Sequence, residues 1–164
     1  MVGKLIIMNA VHSSLFQEYV ACHPCQLLRF SYLFTFQLQR LPELLLALGD
    51  FQLLKETLGR KAGILNPEQR LTTQELEAYV FSFSKPCALT PDRSPMPCKD
   101  VLVPTLVIWG EQDAHLDAGM IPFLEQYVRK RCRVGRIPEA GHFVQEDQPH
   151  KVNQLIWSFL QESD

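Results

Sequence analysis

The sequence predicts an α/β fold in which a helical lid is inserted between the strands of a parallel sheet. Three observations carry that prediction. Lys4-Leu5-Ile6-Ile7-Met8-Asn9 and Val103-Pro104-Thr105-Leu106-Val107-Ile108-Trp109 are continuous apolar runs rather than alternating ones, as expected for parallel strands covered on both faces. Between them, from Ser13 to Ser84, the pattern turns helical and rich in aromatic residues. After them, a helical stretch, another short strand and a final helix follow in turn, and strands alternating with helices imply parallel crossovers. A length of 164 residues suits one domain.

Taken in order, residues 1–12 supply a core strand and residues 13–84 the lid. Helices are expected around Leu15–Ala21, Gln26–Gln37, Pro42–Leu48, Phe51–Leu58 and Thr73–Phe83. Thr72-Thr73-Gln74-Glu75 matches the capping box that opens a helix. Residues 85–100 hold Pro86, Pro91, Pro95 and Pro97 with little periodicity and read as an extended linker returning to the sheet. Residues 101–164 complete the core with strand Thr105–Trp109, helix Asp117–Arg131, strand Arg133–Ile137 and a helix from Pro149 to Leu160; proline is tolerated in a first helical turn. A strand as apolar as Leu5–Met8 needs a neighbour on each side, and the later strands fill only one. Further strands are therefore expected before Met1, and without them this sheet edge invites self-association.

Composition narrows the function. A formal net charge of −2 excludes electrostatic capture of nucleic acid. No apolar stretch reaches the ~20 residues of a membrane helix. The greasiest region, Leu27 to Leu54, is broken by Arg29, Gln37, Gln39, Arg40, Pro42 and Glu43. Five cysteines are too few for a secreted disulfide framework and fit a reducing compartment. Cys22-His23-Pro24-Cys25 has CxxC spacing, yet neither a second ligand pair nor a thioredoxin-like pattern accompanies it. It reads as free thiols at a helix–turn boundary, and no metal or cofactor is implied.

Chemistry concentrates near the tail. Trp109-Gly110-Glu111-Gln112-Asp113 places a carboxylate just past one strand, and about thirty residues later Gly141 delivers His142 past the next. Alone, Asp113 is an ordinary turn residue and His142 a loop histidine. Together they emerge on one edge of the sheet, where open α/β sheets build their sites. A carboxylate on one imidazole nitrogen fixes the tautomer and leaves the other nitrogen as a general base. In this chain order a nucleophile should precede the acid, and no Gly-x-Ser-x-Gly or Gly-x-Asp-x-Gly elbow occurs. His12 either lines the site or belongs to a turn. His23, His115 and His150 read as surface or loop residues. Tyr32, within Ser31-Tyr32-Leu33-Phe34-Thr35-Phe36-Gln37, faces either the lid core or a pocket roof.

These residues resemble the epoxide hydrolases of the α/β-hydrolase fold, nearest the vertebrate membrane-anchored branch. The resemblance runs from Lys4 to Leu160 except for Lys85–Asp100. It is carried by Asn9-Ala10-Val11-His12, the lid stretch from Tyr32 to Gln37, the lid helix from Leu71 to Tyr79, the acid motif ending at Asp113, and Gly141-His142-Phe143-Val144-Gln145 leading to Pro149. It implies the C-terminal part of an α/β-hydrolase parallel sheet. It also implies hydrolysis of a small-molecule or lipid-derived epoxide to a vicinal diol through an alkyl-enzyme ester. Carried over by position, Asp113 is the orienting acid, His142 the general base and Tyr32 a lid proton donor. The family's nucleophilic Asp and its His-Gly-x-Pro oxyanion loop have no counterpart in these residues, nor has its membrane anchor. A second lid tyrosine, in an Asn-x-Tyr-Arg segment, is replaced by the proline-rich linker. The expectation is a chain inactive by itself, as an intracellular protein, attached to the endoplasmic reticulum only if an anchor precedes it. The acid and base motifs also suit a haloalkane or ester hydrolase. A non-catalytic pseudoenzyme or interaction fragment is the alternative from another class.

Overall fold

The computed structural model describes residues 2–26, 63–83 and 100–162. Among these residues three strands form one parallel sheet in the order β1 (Leu5–Met8), β2 (Thr105–Gly110) and β3 (Cys132–Ile137). Leu5 stands beside Thr105, and Thr105 beside Cys132. All six residues of β2 are buried, which is why its sequence shows no polar alternation. Among the described residues β1 pairs with β2 alone.

The two faces of β2 feed two separate cores. Val107 and Trp109 pack on one side with Leu15 and Tyr19 of helix α1 (Ser13–Cys22) and with Met120, Ile121 and Leu124. Leu106 and Ile108 pack on the other with Ile137, Val144, Val152 and Phe159. Alternate residues of a strand point to opposite faces, so four consecutive apolar positions supply both layers. Among the described residues the α-helices are α1, α2 (Thr73–Phe83), α3 (Ile121–Glu125), α4 (Val144–Asp147) and α5 (Pro149–Gln161). Lys4, just before β1, donates through Nζ to the carbonyls of Phe159, Leu160 and Glu162. A cation there is well placed at the C-terminal end of α5, where carbonyls lack most of their intrahelical donors.

The expected strands and the α1, α2 and α5 helices are present to within a residue or two. The capping box forms: Glu75 N–H donates to Thr72 Oγ1, and Thr72 N–H donates back to Glu75 Oε2. The Thr72 backbone N–H and then the Thr72 hydroxyl, both donating to Glu75 Oε2, hold the Glu75 carboxyl below its usual range. The helix expected over Asp117–Arg131 is shorter, a 3-10 turn at Ala118–Met120 running into α3. It stops because the following chain pairs with Val101 instead, Val101 N–H donating to Tyr127 O and Arg129 N–H to Val101 O. α4 was not expected. The helices expected over Gln26–Gln37, Pro42–Leu48 and Phe51–Leu58, together with nearly all of the linker, lie outside the described residues.

Candidate active site

Each strand ends by delivering one polar side chain to the same point. β1 is followed by Asn9, β2 by the turn that carries Asp113, and β3 by Gly141-His142. The turns interlock, with Glu111 N–H donating to Ile137 O and Gln112 N–H to Ala140 O. They also approach so closely that side chains are excluded. A Cβ on Gly110 would lie 2.3 Å from the Gly141 carbonyl oxygen, and one on Gly141 would lie 2.6 Å from the Gly63 oxygen. Glycine at both positions is therefore a packing requirement.

His142 Nδ1 donates to Asp113 Oδ2 at 2.8 Å. A carboxylate only accepts, so a proton sits on Nδ1, and in the neutral imidazole Nε2 is the nitrogen with the lone pair. The Asp113 side chain is fully buried and that of His142 is 27% exposed, which leaves the imidazole reachable by water. Three more donors fill the remaining lone-pair directions of Asp113. Asn9 Nδ2 donates to Oδ2 at 2.9 Å, and the backbone N–H groups of His115 and Leu116 donate to Oδ1 at 2.7 and 3.1 Å. An imidazole with a hydrogen-bonded carboxylate on one nitrogen and partial solvent access has the means to take a proton from water.

Three neighbours were not legible as site residues. Asn9 is buried in the left-handed backbone region, φ 38°, which Asn tolerates better than most residues. His115, read above as a surface or loop residue, instead meets His142 edge to face with ring centroids 5.0 Å apart. Burial and then the positive charge that His142 can carry push the His115 imidazole below its usual range, against the opposing pull of Asp113. Asp147, in α4 and fully buried, accepts from Gly141 N–H at 2.7 Å and Asn66 N–H at 2.6 Å. It ties the loop before His142 to the loop before α2. The only sequence signals were a polar residue ending an apolar strand, a second histidine two places after the acid, and a carboxylate five places after the base.

Of the other histidines, His12 caps α1, its Nδ1 accepting from Ser14 N–H at 3.2 Å. His23 stacks on Tyr19 with centroids 4.2 Å apart, and His150 is exposed on α5. Tyr32 lies outside the described residues.

The model of the alpha/beta hydrolase family matches residues 4–155. The chain belongs to that family. Within it, the chain is similar to epoxide hydrolase 3 of Xenopus tropicalis, 46% identical over a 172-residue alignment that covers 99% of this chain and 47% of the relative. It is also similar to epoxide hydrolase 4 of Homo sapiens, 41% identical with 99% and 48% covered. The chain thus spans about half the length of these relatives. In three dimensions it resembles an epoxide hydrolase from Bacillus megaterium, with a TM-score of 0.75 at 23% identity, covering 98% of this chain and 61% of that one. At that identity the likeness establishes the shared fold. In sequence the chain is an epoxide-hydrolase-like member of the family, and its 164 residues supply the strand ends that carry Asp113 and His142.

Proposed function

We propose that this chain carries the water-activating half of an epoxide hydrolase, with a small-molecule epoxide as substrate. The observation that supports this reading most is the His142 imidazole, held at Nδ1 by a fully hydrogen-bonded Asp113 while the side chain stays partly exposed. In the proposed cycle a nucleophilic carboxylate, contributed by residues other than these, opens the epoxide. One C–O bond of the ring breaks as the ester C–O bond forms, and the resulting alkoxide takes a proton from a lid donor, the role assigned to Tyr32. His142 Nε2 then removes a proton from water as its oxygen attacks the ester carbonyl carbon. Asp113 stabilises the imidazolium. Collapse of the tetrahedral intermediate expels the second alkoxide, which takes the proton from the imidazolium; the proton left on the carboxyl group restores the lid donor, and diol and free carboxylate result. Splitting the reaction in this way replaces one hard displacement with two easier steps.

The same reading treats residues 13–84 as the cap over the site and residues 85–100 as its return linker. It places the protein inside the cell, where Cys22, Cys25 and Cys132 stay as thiols. Attachment to the endoplasmic reticulum would come from an anchor in a longer protein. Among the described residues no helix is long and apolar enough to cross a membrane.

Two assays test the proposal. Purified Met1–Asp164 is expected to give no diol from a reactive aryl epoxide, because nothing in it forms the ester. A chimera, with residues 4–160 replacing the matching half of the Xenopus tropicalis relative, is expected to turn over. In that chimera His142→Ala should slow turnover by ~10²–10⁴ and trap one equivalent of alkyl-enzyme, visible by mass spectrometry. Turnover by the isolated chain, or a chimera indifferent to His142→Ala, would refute the reading.

A further inference from the structure

Asn9 makes contacts that no ordinary turn residue needs. Its Nδ2 donates both to Asp113 Oδ2 and to the Gly141 carbonyl, each at 2.9 Å, and its Oδ1 accepts from Gly110 N–H at 2.8 Å. The orientation of the amide is unambiguous: Asp113 and the Gly141 carbonyl only accept, and the Gly110 N–H only donates. All three bonds are buried. The oxygen that Asn9 holds on Asp113 is the one that receives His142 Nδ1, and the carbonyl it holds belongs to the residue immediately before His142. One side chain from β1 therefore spans the gap between the acid on the β2 loop and the base on the β3 loop. Its backbone is in the left-handed region, which aims the amide across the sheet edge rather than along the strand.

We propose that Asn9 is a positioning residue of this site, setting the separation between the Asp113 carboxylate and the His142 loop so that their hydrogen bond is made in the resting protein. The inference rests on the acid–base reading of the pair. A positioning residue stabilises the pair by removing alternatives. Without the Asn9 amide, Asp113 Oδ2 could turn to water and the Gly141 carbonyl would lose its tie to the acid, so His142 could swing from Nδ1-bonded to unbonded rotamers. Asn9 is neutral, so removing its amide changes the geometry of the couple without changing its charge. Among the described residues the ionisable groups facing the couple are His115 on the β2 side and Asp147 behind Gly141, and neither is altered by a substitution at position 9.

The test is imidazole NMR on Met1–Asp164, for which no epoxide is required. In the wild type, a low-field Nδ1 proton of His142 and a titration midpoint that moves on Asp113→Asn report the coupled pair. Asn9→Gly accepts the same backbone φ without strain. It is expected to speed exchange of that Nδ1 proton about tenfold, the size of one net hydrogen bond, and to cut the response of His142 to Asp113→Asn to less than about half. Should Asn9→Gly fail to fold, the nearly isosteric Asn9→Asp replaces it. That variant is expected to lose the Nδ1 signal near neutral pH and to regain it on acidification, when the new carboxyl carries a proton it can donate. A wild type with the low-field proton and the coupling, and a folded variant that keeps both undiminished, overturns the positioning role and leaves the acid–base reading standing. A wild type lacking both overturns the two together.

Discussion

Asp147 offers a direct measure of how firmly the loop before His142 is held. It is fully buried, and its two oxygens each accept one backbone N–H, from Asn66 at 2.6 Å and from Gly141 at 2.7 Å. Hydrogen bonds to a charged acceptor are worth roughly 1.5–3 kcal/mol each, and a buried donor left without a partner costs about 1–3 kcal/mol. Asp147→Ala removes both bonds at once and opens a small void. The loss should lie near 3–5 kcal/mol, a size reserved for breaking a buried network. Asp147→Asn keeps one acceptor oxygen but turns an N–H group toward a donor, and should lose about half as much. Urea denaturation would show the loss as a lower midpoint at unchanged slope. Trp109, buried in the core, is the reporter; Trp157 is exposed and is replaced by Phe in every variant so that its emission does not mask the signal. A loss under about 1 kcal/mol for Asp147→Ala would mean that the Gly141 and Asn66 donors find other partners, and that the loop before His142 is not held by α4.

The remaining expectations concern pH and association. His115 is held below its ordinary value of 6.5 by burial and by His142. The unfolded chain therefore binds the proton first as pH falls, and stability declines below about pH 6.5, with no contribution from this group above it. His115→Gln should remove that decline, so its melting temperature should gain on the wild type between pH 7.5 and 5.5; parallel curves would rule out the linkage. Separately, β1 has a partner on one side only among the described residues. An apolar edge of this kind is a template for intermolecular pairing. Light scattering after size exclusion should find Met1–Asp164 self-associated, and a sharply melting monomer would contradict this.

The sheet was legible because strands that pack on both faces leave a plain mark, a run with no polar alternation, in half-buried Leu5–Met8 and fully buried Thr105–Trp109. The capping box at Thr72–Glu75 was legible because it is a local bond pattern with fixed spacing. Helix α3 was overextended because its C-terminal end is decided by a bridge to Val101, a contact remote in sequence that no periodicity encodes. The same distinction separates Asp113 and His142 from their supports. Asp113 and His142 sit in Gly-containing turns whose spacing is local, whereas Asn9 meets Asp113 across 104 positions and Asp147 meets Asn66 across 81.

That separation has a consequence for how the site responds to substitution. Asn9 and Asp147 grip the segment around Gly141 from opposite sides, Asn9 through its carbonyl and Asp147 through its N–H. A peptide unit fixed at both of its neighbouring polar groups has little freedom to rotate, and the imidazole that follows inherits that constraint. Residues joined through one segment lose additivity. Removing either support leaves the other to hold His142, and removing both should cost more than the sum of the two. Strict additivity in the Asn9→Gly, Asp147→Asn double variant would instead indicate two independent anchors, one serving Asp113 and one serving α4.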